Sequence, residues 1–188
     1  DHKRIGLLYL GTTLLFFLVG GVFALLLRMK LMYPGEELFS NKAYNVFFTL
    51  HGIMMIFLFI IPAIPSALGN FLVPLMIGAR DVAFPKINRL SWWLYVAGAI
   101  LIIISLFLQG RPPDTGWTFY APYSIQTPAN ISTAVLGVFV LGFSSILTGL
   151  NFVTTIHRMR APGMKWFRMP AFPWTLYATG WVQMLATP

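Results

Sequence analysis

The sequence predicts an all-α integral membrane protein, and three observations carry that prediction. Of 188 residues, 57% are hydrophobic and only 10% are charged, with a mean hydropathy of +0.75. That leaves too little polar side chain to coat a water-soluble globule. The charges fall in short clusters between five long uncharged runs, at 5–27, 43–79, 90–110, 115–157 and 169–188. Each run supplies the roughly 20 helical residues needed to cross a hydrocarbon core of about 30 Å.

Each run yields one helix of a single transmembrane domain. The first predicts a helix over 5–27. Lys3 and Arg4 precede it as they would a signal peptide, but the run is too long for a signal core and lacks a small-residue cleavage site. The second run exceeds one perpendicular span and carries Pro62, Pro65 and Pro74. It predicts one long kinked helix over 44–76 with its ends outside the hydrocarbon. The third predicts a helix over 90–110. The fourth opens with Gly, Pro and aromatic residues, so 115–130 reads as a loop and 131–156 as a helix. The fifth, 170–188, is expected to be a truncated span. The chain starts without Met and stops inside an apolar run, so any active site is expected to draw on residues beyond Pro188.

Alternating helices put Lys3, Arg4, Arg80, Lys86, Arg89, Arg158, Arg160, Lys165 and Arg168 on one side. The other side receives Arg28, Lys30, Lys42 and Arg111, with Glu36, Glu37 and Asp114. Nine cations against four orient the amino terminus toward the cytoplasm or its organellar equivalent. The net charge of +8 is thus a topology signal, and no basic stripe interleaved with aromatics suggests nucleic acid as a partner. Cysteine is absent, which excludes disulfides and thiolate metal sites within the chain. There is no internal repeat, phosphate-binding glycine loop or credible Ser-His-Asp set.

Polar side chains in hydrocarbon are costly, and each has two readings. His51 lies one to two turns inside the outer end of the second helix. Its position alone leaves open a histidine bonded between helices and a ligand for haem iron, for which imidazole is a common axial group. Gly52 would let a planar group approach the backbone. Met54 and Met55 are further possible iron ligands, though such residues usually fill gaps. Arg28, ending the first helix on the same side, either snorkels to the interface or serves a polar substituent of a buried cofactor. Tyr44 precedes His51 by two turns on one helical face. Trp117 and Tyr120 belong to the loop on that side, where interfacial aromatics are common anyway.

On the inner side, Asp81 stands in a short loop after the second helix. Asn70 lies deeper in that helix and Tyr9 near the inner end of the first. On the fourth helix, Ser144, Thr148, Asn151 and Thr155 form one polar stripe, with Ser145 adjacent. Such stripes serve as interhelical glue, yet together with Asn70 and an acid at the rim they suggest a hydrated file for protons. His51 and Asn70 are separated by about 28 Å at 1.5 Å per residue. A cofactor site near the outer face and an acid near the inner one make a layout for moving protons inward.

Five motifs resemble subunit I of the haem-copper respiratory oxidases, of the cytochrome c oxidase type with a D-type proton channel. They are Tyr44-Asn45 with Thr49 and His51; Gly69-Asn70 followed by Leu72-Val73-Pro74; Asp81-Val82-Ala83-Phe84-Pro85 with Asn88; Gly116-Trp117 with Tyr120; and Ser144-Ser145 with Asn151-Phe152. The resemblance covers all 188 residues and roughly the first five of the family's twelve helices. It implies that His51 is an axial ligand of the low-spin haem, of type A in many members. By the same resemblance Arg28 meets a peripheral haem group, Trp117 packs near the propionates, and Tyr44 and Tyr120 complete the setting. Asp81 corresponds to the mouth of the proton channel, with Asn70, Asn88, Ser91, Tyr9, Ser144, Ser145 and Asn151 along it.

The resemblance also implies a second haem and copper beyond Pro188. Subunits of the II and III types, membrane lipid, and cytochrome c or quinol as electron donor are the expected partners. Two departures matter. Lys30 replaces an acid that contributes to a metal site in many members, so no calcium or sodium ligand is expected there. Tyr120-Ala121-Pro122-Tyr123 points to a bacterial cytoplasmic membrane rather than a mitochondrial one. A quinol oxidase is the runner-up, and a haem-free transporter or assembly protein is the rival from another class.

Overall fold

The computed structural model describes residues 1–33 and 38–187, apart from the side chain of Gln109. Glu36, Glu37 and Pro188, which entered the charge count and the last predicted helix, lie outside the described residues. Helix α1 spans His2–Met32 and α2 Asn41–Ile77. Helix α3 spans Pro85–Phe107, a short α4 Tyr123–Gln126, α5 Ile131–Arg158 and α6 Ala171–Ala186. Helices α1, α2, α3 and α5 are long and apolar enough to cross a membrane. The fifth predicted span is the 16-residue α6.

The helices overrun their uncharged runs for identifiable reasons. Arg28 and Lys30 remain helical in α1, because long cationic side chains can lie along an apolar surface with their heads at the rim. The Lys30 ammonium donates to the Phe39 carbonyl at 2.6 Å and to Asn41 Oδ1 at 2.9 Å, tying α1 to the start of α2. Helix α3 begins at Pro85 rather than at 90, since proline suits the first helical position and Lys86 and Arg89 can reach the rim. It ends at Phe107, and a 3₁₀ turn over Leu108–Gly110 follows.

Helix α2 widens around its prolines. Met54–Ile60 and Ala63–Gly69 are π-helical stretches flanking Pro62 and containing Pro65. Pro62 lacks the N–H that would meet the Leu58 carbonyl in an α-helix. The Tyr95 hydroxyl of α3 donates to that carbonyl at 2.7 Å.

Close packing elsewhere depends on missing side chains. A Cβ on Gly98 of α3 would meet the Gly137 carbonyl of α5 at 2.8 Å, and one on Gly149 of α5 would meet the Gly180 carbonyl of α6 at 2.7 Å. Small residues set backbones close together where lipid offers no hydrophobic drive for helices to associate. The burial pattern agrees. Thr13, Thr49, Asn70, Ser91, Ser105 and Thr155 are fully buried, while Leu18, Leu25, Phe107, Phe139 and Val182 face outward. Helices α1, α2, α3 and α5 alternate in direction, so the loops gather at two ends: one with Asp81, the other near His51.

Candidate functional site

At the His51 end, α1 and α2 run antiparallel and meet at a backbone contact. His51 Nδ1 lies 2.9 Å from the Gly20 carbonyl. A carbonyl can only accept, so Nδ1 carries a proton, and in the neutral ring Nε2 keeps its lone pair. Gly20 is also a point of close approach: a Cβ there would lie 2.9 Å from Met55 Sδ. Met55 is thus committed to packing against α1, and Met54 is buried in the core at 3% exposure.

The loop after α3 closes over the next turn of α2. Thr49, fully buried, donates to the Asn45 carbonyl at 2.7 Å, and its hydroxyl accepts from the Gly116 N–H at 2.8 Å. Gly116 has φ +81°, a left-handed conformation that glycine adopts without strain. That turn delivers Trp117 onto Gly52, where an added Cβ would sit 2.7 Å from Trp117 Cδ1. Trp117 also meets Phe57 edge to face, with ring centroids 6.0 Å apart. The planar group lying on Gly52 is therefore the Trp117 indole.

The remaining residues of this set spread along the rim. Lys30 Nζ lies 5.9 Å from the Tyr44 ring centroid, which fixes the register of α1 against α2. Arg28 is exposed and makes no hydrogen bond or ion pair among the described residues. It lies eight residues beyond Gly20, as Tyr44 lies seven before His51, so both sit about 10–12 Å outward of the Gly20–His51 contact. Tyr120 is 78% exposed, and its side chain is not brought to the others.

At the opposite end the polar residues touch one another. Asp81 Oδ1 accepts from the Val82 N–H at 2.8 Å and from the His2 backbone N–H at 3.2 Å, and it lies 3.2 Å from His2 Nδ1. Burial alone would raise the Asp81 carboxyl. The Val82 N–H and the His2 ring act against it, and the group lies below the usual carboxylate range. Helix α5 clamps the adjoining loop. Asn151 Oδ1 accepts from the Phe84 N–H at 2.9 Å, and Thr155 Oγ1 accepts from the Ala83 N–H at 2.8 Å.

From this rim a chain of contacts runs into the bundle. Asn88 Nδ2 donates to Asn70 Oδ1 at 2.6 Å, and Asn70 donates to the Ser66 carbonyl at 2.6 Å. One turn deeper, the Tyr9 hydroxyl lies 3.2 Å from Ser91 Oγ and 3.1 Å from Ser144 Oγ. Ser144 donates to the Ser91 carbonyl at 2.7 Å. Ser91 Oγ donates to the Asn88 carbonyl at 2.8 Å, so Asn70, Asn88, Ser91, Tyr9 and Ser144 form one connected polar seam, which Asn151 joins only through the Phe84 backbone.

Ser145 is not part of it. It lines a separate cavity of about 540 Å³ beside Phe57, Gly142 and Gln183, because neighbouring residues on a helix point about 100° apart.

The profile of the family described as Cytochrome C and Quinol oxidase polypeptide I matches residues 4–188. The chain belongs to this family. It is 44% identical over 191 residues to the putative cytochrome c oxidase subunit 1-beta of Streptomyces avermitilis, covering 100% of this chain and 34% of that one. Identity is 44% over 189 residues with cytochrome c oxidase subunit 1 of Bacillus subtilis, covering 100% of this chain and 30% of the relative. The heme-copper oxidase subunit I+III of Aeropyrum pernix is 42% identical over 191 residues, covering 100% and 23% respectively. The chain spans about a third or less of the length of these relatives.

Membership makes this a multi-pass membrane protein of an oxidase family that carries haem. Among the described residues, no three His, Cys, Asp or Glu side chains gather to hold a metal ion. A haem iron needs no such cluster, because the macrocycle supplies most of its ligands and the protein only axial ones. A half-buried imidazole anchored through Nδ1, with Nε2 unengaged, fits that requirement. The anchor itself was not visible in the sequence beyond the Gly20-Gly21 pair, which marks close helix approach. His2 and Ser66 give no signal in the sequence, and Thr49 stands there only as part of a motif, because their partners lie far away in the chain or are backbone atoms.

Proposed function

We propose that this chain forms part of the catalytic subunit of a proton-translocating terminal oxidase. The whole enzyme reduces oxygen to water with electrons from cytochrome c. The observation that carries the proposal is the 2.9 Å contact between His51 Nδ1 and the Gly20 carbonyl. His51 Nε2 would hold the iron of a low-spin haem, of type A. When bound, the haem supplies reversible one-electron transfer, tuned by its axial ligands and surroundings.

The chain's own residues do the rest. The Gly20 carbonyl fixes the His51 tautomer and ring orientation and raises its basicity as a ligand. Arg28 offers a cation and up to five N–H donors to a polar edge of the macrocycle. Trp117, pinned through Gly116 to Thr49, closes the site against the loop, with Tyr44 and Tyr120 at its rim. Asp81 collects protons at the opposite face. The amides and hydroxyls of Asn70, Asn88, Ser91, Tyr9, Ser144 and Asn151 lead inward from it.

The amino terminus is assigned to the cytoplasmic side from the cation count, and a bacterial membrane from the Tyr120-Ala121-Pro122-Tyr123 loop. The second haem, copper, and subunits of the II and III types come from outside this chain. A quinol donor remains the second reading, since the family's description includes quinol oxidases.

The test uses the full oxidase. His51→Ala should abolish the low-spin haem spectrum while leaving the other haem detectable. A low-spin spectrum that survives the substitution overturns the assignment.

A further inference from the structure

A second cavity, of about 460 Å³, opens at the Asp81 face between the start of α1 and the start of α3. Arg4, Lys86 and Arg89 line it, together with Trp92 and Trp93. All three cations are exposed, and none has a carboxylate within 4.0 Å among the described residues. The one acid at the cavity, Asp1, uses Oδ1 to accept the Lys3 N–H at 2.9 Å as the cap of α1. The Trp92 Nε1–H is buried and has no hydrogen-bond partner. Toward the membrane the wall turns apolar at Ile5 and Leu8. Trp93, 57% exposed, and Leu90, 51% exposed, continue that apolar surface outward.

We propose that this cavity binds the phosphodiester headgroup of an anionic membrane lipid of the phosphatidylglycerol type. Three cations without carboxylate partners form a donor set for a phosphate oxyanion. Tryptophan at a membrane rim marks the headgroup level, and the apolar wall below accepts the acyl chains. A free phosphate would use the cations and leave that wall bare, so the lipid is the better occupant. The inference goes beyond the oxidase reading and does not depend on His51 or the proton seam.

The experiment titrates the full purified oxidase in neutral detergent with phosphatidylglycerol or phosphatidylcholine and counts retained lipid by native mass spectrometry. Phosphatidylglycerol should be retained in preference to phosphatidylcholine. Each cation near a lipid surface is worth about fivefold in binding, so Lys86→Gln with Arg89→Gln should weaken retention about 25-fold. Arg4→Gln, on the other helix, should weaken it about fivefold. The pair Lys165→Gln and Arg168→Gln, on the same face but away from the cavity, should leave it unchanged. Equal loss in that control pair would reveal diffuse attraction and overturn the site. So would unchanged retention in the cavity variants, or full displacement of the lipid by millimolar inorganic phosphate.

Discussion

Replacing Thr49 by Val tests whether the loop after α3 is held to the His51 site by one hydroxyl. Valine has nearly the same shape, so packing at this fully buried position is retained. What is lost is the acceptor 2.8 Å from the Gly116 N–H. A buried donor left without a partner costs about 1–3 kcal/mol, and side-chain bonds in membrane bundles measure about 0.6–1.7 kcal/mol. A loss of about 1–1.4 kcal/mol raises the released population of the Gly116 turn about five- to tenfold. Trp117 would then leave Gly52, next to His51. In the purified oxidase, Thr49→Val should lower the thermal midpoint and broaden the low-spin haem band, whereas Thr49→Ser, which keeps the hydroxyl, should restore both. If Ser is as damaging as Val, or if Val matches the wild type, the hydroxyl is not what holds the loop.

Other residues give shorter tests. Arg28→Met should shift the spectrum and potential of the low-spin haem with little change in stability, because Arg28 is exposed and makes no hydrogen bond or ion pair among the described residues; an unaltered spectrum rejects its role. Asp81→Asn should slow proton uptake and oxygen consumption while haem content stays intact, and normal turnover would count against it. The Asp81 carboxyl is held below its ordinary range. Its stabilising contribution is therefore complete above about pH 4 and is lost as pH falls through the lowered value. Exchange of the Val82 amide, corrected for intrinsic rates, should quicken as pH falls through that lowered value.

The residues readable from sequence are those whose cost is visible along the chain. His51 in an apolar run, Asp81 beside a helix end and the spaced polar stripe of α5 each break a local pattern. Residues whose meaning lies in a distant partner were not readable. The Gly20 carbonyl serves a ring 31 residues away, and Thr49 serves an N–H 67 residues away. Helix ends were placed too tightly at Arg28, Lys30 and Pro85, because charge was read as a terminator where it merely marks the rim. Ser145 was grouped with Ser144 by adjacency, although helical geometry turns them to different surfaces.

Pro62 links the irregular backbone of α2 to the polar seam, and the link can be measured. In a lipid-facing bundle a carbonyl freed by proline needs another partner, since no bulk water is at hand. Leu58 finds it in the Tyr95 hydroxyl at 2.7 Å. The Tyr95 ring packs against Tyr9 with centroids 5.3 Å apart, and Tyr9 in turn bridges Ser91 and Ser144. One side chain thus supports the widened turns below His51 and buttresses the seam leading from Asp81. Tyr95→Phe keeps the ring and deletes the donor. The expected loss is about 0.6–1.7 kcal/mol, as for other side-chain bonds in membrane bundles, read as a lowered denaturation midpoint of the full oxidase. No loss would mean that the widened helix satisfies Leu58 by itself. A loss above about 3 kcal/mol would mean that the Tyr9–Ser91–Ser144 cluster had come apart with it, and that the two regions are mechanically one.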